Sequence, residues 1–127
     1  MTGTLLTFNL DANTDARLRA VCQRLDLRVR PVLPTEYGAT IGALAGIPTV
    51  KAAPDAPRGT FKDPMMVICN LLSPQLDALL QGMREEGVRI DLKCVLTPSN
   101  VGWNAFQLHG ELAREHEAMR RSREKES

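Results

Sequence analysis

The sequence has no marked excess of charge of either sign and no long apolar run. Lysine and arginine total 16 against 15 aspartates and glutamates, for a net charge of +1. A nucleic-acid surface normally carries a basic excess, so this balance argues against one. No apolar stretch is long enough to cross a bilayer, and the opening MTGTLLTF lacks the basic region of a signal peptide. The composition predicts a cytoplasmic protein that binds neither nucleic acid nor membrane.

Cysteines are few and far apart. Cys22, Cys69 and Cys94 form no CxxC pair, which excludes the usual zinc and thioredoxin-like spacings and gives no disulfide framework. Each lies in an apolar pattern, so we expect three buried, reduced thiols that act as small hydrophobic groups. We expect no metal and no other cofactor. The alternative is a metal site made from Cys69, Cys94 and a distant histidine.

Four short segments have the patterns of strands. Residues 4–10 and 64–70 are nearly continuous apolar runs, whereas residues 28–33 and 89–96 alternate charged with apolar residues. A continuous run is typical of a strand covered on both faces, and alternation of one that is half exposed. Pro31 also favours an edge, because proline cannot donate to a strand ladder. These patterns predict a four-stranded sheet in the order 2-1-3-4.

Helical periodicity follows each of the first, third and fourth strands. Residues 13–25 and 74–86 place leucines on one face, and apolar residues from Val101 to Met119 continue through a long C-terminal helix. Strands that alternate with helices indicate βαβ units and a mainly parallel sheet. The predicted fold class is therefore α/β, a small three-layer sandwich in a single domain, residues 1–127.

Two segments do not fit this pattern. Residues 49–63 show no period and contain Pro54, Pro57 and Gly59, which indicates either a mobile excursion or a lid. Residues 114–127 balance acidic against basic side chains. We expect that stretch to be the solvated, fraying end of the last helix rather than a nucleic-acid arm.

Glycines recur at 38, 42 and 46 within residues 35–47. On a helix they would form one narrow stripe, and each interior glycine costs about 1 kcal/mol relative to alanine. We expect this cost to be offset by close packing of a thin helix against the sheet or a neighbouring helix. The alternative is close approach by a ligand or by a second subunit in a homodimer.

The carboxyl edge of the sheet is the expected binding site. In open α/β sheets ligands bind beyond the carboxyl ends of the strands where the strand order reverses, here between the first and third strands. Neither loop after those strands contains glycine, so the GxGxxG and P-loop motifs are missing. No residue is marked as catalytic. The candidate binding residues are Asn9, Asp11, Asn70, Ser73, Thr97, Asn100 and Trp103.

The single tryptophan stands at the start of the last predicted helix. Thr97 or Ser99 can cap that helix, and Trp103 lies off its apolar face. One interpretation is that Trp103 packs over a neighbouring loop as a structural plug. The other is that it forms the lip of a binding surface with Asn100 and Thr97, since rigid aromatic side chains are typical anchors.

The segments NLLSPQLD and VLTPSN, together with Trp103, resemble the signature of a family of short bacterial and archaeal proteins known only as a domain of unknown function. The resemblance extends to the opening TFNLDA and to TEYGATIGALAGI. It implies a small α/β domain and carries no activity.

A second, local resemblance is to response-regulator receiver domains. MMVICNLLSPQLDALL is similar to their third strand and loop, with Thr97 where they place a hydroxyl. Asn70 stands at the phosphoacceptor position, and an amide cannot act as that nucleophile. Asp11 alone, displaced, replaces the acidic pair for Mg²⁺. The resemblance implies a degenerate module that cannot be phosphorylated.

The function expected from these observations is a non-enzymatic binding or regulatory module. It would contact a protein partner or a small ligand at the carboxyl edge of the sheet. The alternatives are an enzyme or enzyme accessory subunit that uses the same edge, and a structural dimer built on the glycine-bearing segment.

Overall fold

The computed structural model describes residues 3–47, 50–51, 59 and 61–126. Its four strands form one sheet in the order β2-β1-β3-β4, which confirms the predicted order and the α/β fold class. The strands are β1 (Thr4–Phe8), β2 (Arg28–Pro31), β3 (Met65–Cys69) and β4 (Leu92–Val95). The helices are α1 (Ala12–Arg24), α2 (Ile41–Leu44), α3 (Ser73–Glu85) and α4 (Ala105–Glu126), and a 3₁₀ turn spans Pro34–Glu36.

The sheet is mainly parallel, but its central pair is antiparallel. Strand β1 pairs in parallel with β2 and β3 with β4, whereas Thr4 of β1 lies opposite Cys69 and Phe8 opposite Met65 of β3. The chain therefore leaves β2 and enters β3 at the same end of the sheet, and it needs no crossover helix between them. The carboxyl ends of β1 and β2 consequently lie at one end of the sheet, and those of β3 and β4 at the other.

Helices cover both faces of the sheet and build one apolar cluster on each. Helices α1 and α3 cover one face, while α2 and α4 cover the other. Neighbouring residues of β1 point into different clusters, since Leu5 belongs to the first and Leu6 to the second. All five residues of β3 are buried. Burial on both faces explains why β1 and β3 are continuous apolar runs.

The first and second halves of the chain repeat the same elements. Strand β1 and helix α1 begin 61 residues before β3 and α3, and the paired elements have the same lengths. Asn9 and Asn70, also 61 apart, both adopt the left-handed conformation, with φ of 60° and 62°. Asp26 and Gly87 repeat this relation after the helices, with φ of 56° and 69°. Asn, Asp and Gly tolerate this conformation best.

The repeat continues through the outer strands and the turn after them, with a shift of 64. Strand β4 begins 64 residues after β2. The Leu33 N–H donates to Glu36 Oε1 at 3.0 Å, and the equivalent Thr97 N–H donates to Asn100 Oδ1 at 2.9 Å. The loop before β4 is therefore three residues longer than the loop before β2, and the two halves differ further in their last helices, of four residues in α2 and 22 in α4.

A pseudo-two-fold axis relates the two halves and runs through the middle of the sheet. On such an axis a residue meets its own equivalent in the other half. This happens in the sheet, in the α1–α3 layer and in the α2–α4 layer. The pairs are Leu6 with Val67, Val21 with Gly82, and Thr40 with Asn104.

Thr40 and Asn104 are also the N-caps of α2 and α4. The Ala43 N–H donates to Thr40 Oγ1 at 3.1 Å, and the Gln107 N–H donates to Asn104 Oδ1 at 2.9 Å. Both caps are buried. The expectation that Thr97 or Ser99 caps the last helix is wrong, because that helix begins only at Ala105.

The glycine-bearing segment is not the continuous helix that the spacing predicts. Its only α-helical residues are the four of α2, and Gly46, with φ of 92°, follows at the end of that helix. A Cβ added at Gly42 would lie 2.6 Å from Val101 Cγ2 and 2.9 Å from the Val101 carbonyl oxygen. One added at Gly38 or Gly46 would meet nothing within 4 Å. Close packing therefore holds at Gly42 and not at the other two positions.

Two expectations concern the segments outside the core. Most of residues 49–63, where we expect an excursion or a lid, lie outside the described residues. Helix α4 includes most of 114–127 and continues to Glu126. Its end carries charge pairs of the expected kind, such as Glu117 with Arg120 and Arg121.

We expect Gly42→Ala to lower the free energy of unfolding by about 1–3 kcal/mol, because the added methyl group forces α2 away from Val101. The matched control is Gly38→Ala, which should stay within about 0.5 kcal/mol of the parent chain, since the space there is open. Urea unfolding followed by circular dichroism measures both. Equal effects of the two substitutions would contradict the close packing.

Candidate functional site

Asn9 attaches the end of β1 to the chain that enters β3. Its Nδ2 donates to the carbonyl oxygens of Phe61 at 3.2 Å and Asp63 at 3.3 Å, while its Oδ1 accepts from the Tyr37 hydroxyl at 3.0 Å. Both amide hydrogens and the amide oxygen are thus in use. This candidate residue fastens the chain entering β3 and leaves little capacity for a ligand.

Stacked rings strengthen the same attachment. Tyr37 stacks on Phe61 with ring centroids 4.8 Å apart, and Phe61 stacks on His109 at 4.3 Å. His109 Nε2 lies 3.2 Å from Asp63 Oδ1. Burial raises the pKa of the Tyr37 hydroxyl, and the bond to Asn9 opposes this shift. The phenol therefore stays protonated at neutral pH and keeps donating to Asn9.

Asp11 caps helix α1. Its Oδ1 accepts the Thr14 N–H at 2.7 Å, and this bond to the backbone lowers the pKa of the Asp11 carboxyl below its ordinary value. A cavity of about 440 Å³ lies at this end of the sheet. Asn9 and Asp15 contribute polar groups to its lining. The Asn9 amide is already hydrogen-bonded to the chain before β3, and the Asp15 carboxylate pairs with Arg19. The lining is completed by Thr7, Leu10, Ala12, Pro31, Val32, Pro34 and Tyr37.

Thr97 and Asn100 form hydrogen bonds with each other at the opposite end of the sheet. The Thr97 N–H donates to Asn100 Oδ1, and the Asn100 N–H donates to Thr97 Oγ1 at 3.3 Å. The Asn100 amide also donates to the Val95 carbonyl at 3.1 Å, and the residue is buried. Ser73 begins α3 and is exposed, and Asn70 follows β3 in its left-handed conformation.

The structure therefore does not bring the predicted candidates together at one edge. Asn9 and Asp11 follow β1 at one end of the sheet, whereas Asn70, Ser73 and Thr97 follow β3 and β4 at the other. The predicted shared edge requires β1 and β3 to be parallel, and they are antiparallel.

Trp103 lies at the junction of the two halves. Its carbonyl oxygen accepts the Ile41 N–H at 2.8 Å, and its N–H donates to the Asn100 carbonyl oxygen at 3.0 Å. The side chain is partly buried against the apolar cluster under α2 and α4. The residue thus packs at the position where α2 meets the turn before α4, two residues ahead of that helix.

The cysteine thiols are free and weakly acidic, and Cys22 and Cys69 are buried as expected, whereas Cys94 is only partly buried. Burial raises the pKa of Cys22 to about 11, of Cys69 to about 12 and of Cys94 to about 11. Among the residues that the structure describes, no group of three or more His, Cys, Asp or Glu side chains could hold a metal ion.

We expect iodoacetamide at pH 7.5 to alkylate none of the three thiols while it fully alkylates glutathione. With pKa values near 11 or above, fewer than about one thiol in a thousand is ionised at that pH, and the thiolate is the reactive form. Intact-mass spectrometry measures the reaction, with guanidinium-unfolded chain as the positive control. Alkylation of native Cys94 at the rate of glutathione would contradict the assignment.

A groove between α3 and β4 is the feature that our sequence analysis missed. It encloses about 450 Å³, and none of its eight lining residues is acidic. The first half carries an equivalent depression of about 350 Å³ between α1 and β2, where the lining is more polar. The α3–β4 groove is lined by Leu80, Met83, Arg84, Gly87, Val88, Arg89, Ile90 and Lys93. The α1–β2 depression is lined by Arg19, Cys22, Gln23, Asp26, Leu27 and Val29.

Helix α3 carries three leucines where α1 carries three charges. The leucines recur every four residues, and each equivalent in α1 lies 61 positions earlier. Leu72 and Leu76 replace Asp11 and Asp15, and Leu80 replaces Arg19. We call Leu72, Leu76 and Leu80 the leucine stripe.

Leu72 is 73% exposed, and Leu76 and Leu80 are only partly buried. Leu72 stands at an N-cap, where leucine is disfavoured. Instead, its N–H donates to the Gln75 side chain at 2.9 Å. Alignment of the two halves would have found the stripe, but the helical spacing alone assigns Leu76 and Leu80 to the core.

None of the helices in the described part of the chain is both long and apolar enough to cross a membrane. Residues 64–119 match the model of a family described as a domain of unknown function, DUF3783. The expected resemblance to an uncharacterised family is confirmed over this region, which corresponds to the second half of the pseudo-symmetric fold. No curated protein matches the chain significantly, and neither does any solved structure.

Proposed function

We propose that the chain is a non-enzymatic binding module that docks a protein partner in the groove between α3 and β4. The observation that carries this proposal is the leucine stripe, which enters the groove at Leu80 and continues along α3 beyond it through Leu76 and Leu72. The equivalent helix α1 adopts the same fold with charged residues at the same three positions, so folding does not require leucines there. Apolar side chains that are exposed, as Leu72 is, or partly exposed, as Leu76 and Leu80 are, and that the fold does not need are typical of an interaction surface.

The use of the polar candidates supports a binding module over a catalytic one. Asn9 braces the chain that enters β3, Asp11 caps α1, and Thr97 pairs with Asn100. Side chains occupied in this way are poorly placed to move protons or bind substrate. The groove offers apolar contact area instead, which suits a partner protein better than a small polar metabolite.

We expect the variant Leu72→Asp/Leu76→Asp/Leu80→Arg to fold normally and to lose its partner. The substitutions copy the residues of α1, so the melting temperature should stay within about 4 °C of the parent, which corresponds to about 1 kcal/mol or less for a domain of this size. Burial of Leu72 and of the exposed parts of Leu76 and Leu80 by a partner should contribute a few kcal/mol, since a fully exposed leucine gains about 1.5–3 kcal/mol on full burial.

The measurement is site-specific photo-crosslinking in the source cells. A benzophenone amino acid is placed at position 76 of the full chain, and the matched control places it at the equivalent position 15. A partner should crosslink at 76, not at 15, and should disappear when Leu72→Asp and Leu80→Arg are added. Identical products at both positions would refute the proposed groove.

A further inference from the structure

The outer edges of the sheet differ in the backbone donors that point outward. The Leu96 N–H donates inward to the Ile68 carbonyl at 2.9 Å, so the alternation of a strand points the N–H groups of Lys93 and Val95 outward. On the opposite edge the Val32 N–H donates inward to the Thr7 carbonyl at 2.8 Å. The outward position equivalent to Val95 is therefore Pro31, which has no N–H. Strand β4 can pair with a further strand at a position where β2 cannot.

The open edge and the leucine stripe lie on the same side of the molecule. Val95 is 42% exposed and points to the sheet face that α3 covers, next to Ile68. A strand added beside β4 would direct every second side chain onto that face, towards Leu76 and Leu80. Backbone pairing and apolar contact would thus be made by one extended segment.

The charge of the groove selects the side chains of that segment. Arg84 donates to the Gln81 amide oxygen and Lys93 to the Ile90 carbonyl oxygen, both neutral acceptors. Arg89 pairs with Asp91 at 3.0 Å. With three cations and no anion among the lining residues, the groove is complementary to carboxylates.

We infer that the occupant of the groove is an extended acidic segment of a partner protein, which adds to β4 as a fifth strand with alternating apolar and acidic residues. This inference rests on the proposed function and specifies its partner. A second copy of the chain is a poorer occupant, because two β4 edges brought together would place one basic groove against the other.

The test selects random twelve-residue phage-displayed peptides on the full chain and measures the enriched peptides by fluorescence anisotropy. We expect enrichment of Asp or Glu alternating with Val, Ile or Leu. Val95→Pro removes one outward N–H, and the fold should accept it because Pro31 occupies the equivalent position. It should weaken binding at least tenfold, whereas the control Val95→Thr, which keeps the N–H, should change binding less than twofold.

Charge is tested separately, so that the inference remains falsifiable if Val95→Pro fails to fold. Lys93→Glu with Arg84→Glu should weaken the acidic peptides at least tenfold, and peptides with lysine in place of the acids should regain affinity. No enrichment, enrichment without acidic residues, or equal binding by the Val95→Pro variant would overturn the inference. So would self-association in sedimentation velocity that Val95→Pro abolishes.

The two proposals fail in different ways. Peptides that bind the Val95→Pro variant normally but are lost on substitution of the leucine stripe would leave the docking groove in place and overturn strand addition. Peptides insensitive to both changes would overturn the groove as well.

Discussion

The antiparallel pairing of β1 with β3 is the constraint on which the structure depends. It joins two parallel strand pairs into one sheet, and it sets α1 against α3 on one face and α2 beside α4 on the other. Leu6 lies opposite Val67, its own equivalent, at the centre of this pairing. The same two-fold relation holds in the two helical layers. Val21 of α1 packs on its equivalent Gly82 of α3, and Thr40 forms a bridge with its equivalent Asn104. Every strand end, and thus every candidate site, is placed by this one pairing.

Much of the fold could be predicted from local patterns. Continuous apolar runs identified β1 and β3 as central, and Pro31 identified β2 as an edge. Both predictions succeed because burial on two faces determines which residue types a strand contains, and because proline lacks the backbone N–H that a central strand needs. The direction of a strand cannot be predicted in this way, since a strand buried on both faces has the same composition in either orientation. The prediction of one shared carboxyl edge therefore failed although the strand order was right.

The candidate site was less predictable because polar residues at strand ends have two uses. Asn9, Asp11 and Asn100 have the residue types of a binding site, and the structure employs them in braces and caps. Leu76 and Leu80 have the spacing of core residues, and only the charged equivalents in α1 show that the fold can do without them. The signal lay in the difference between two halves of one chain, which helical periodicity does not measure.

The pseudo-two-fold axis has a consequence for how chains can associate. The surfaces that join the two halves are the same whether the halves come from one chain or from two. Two molecules can therefore exchange halves and form an intertwined dimer in which the β1–β3 pairing is made twice between chains. Such a swapped dimer would keep both α3–β4 grooves, because each groove lies within one half of the chain. It requires the halves of two chains to pair before each chain closes on itself, so refolding at high concentration would favour it.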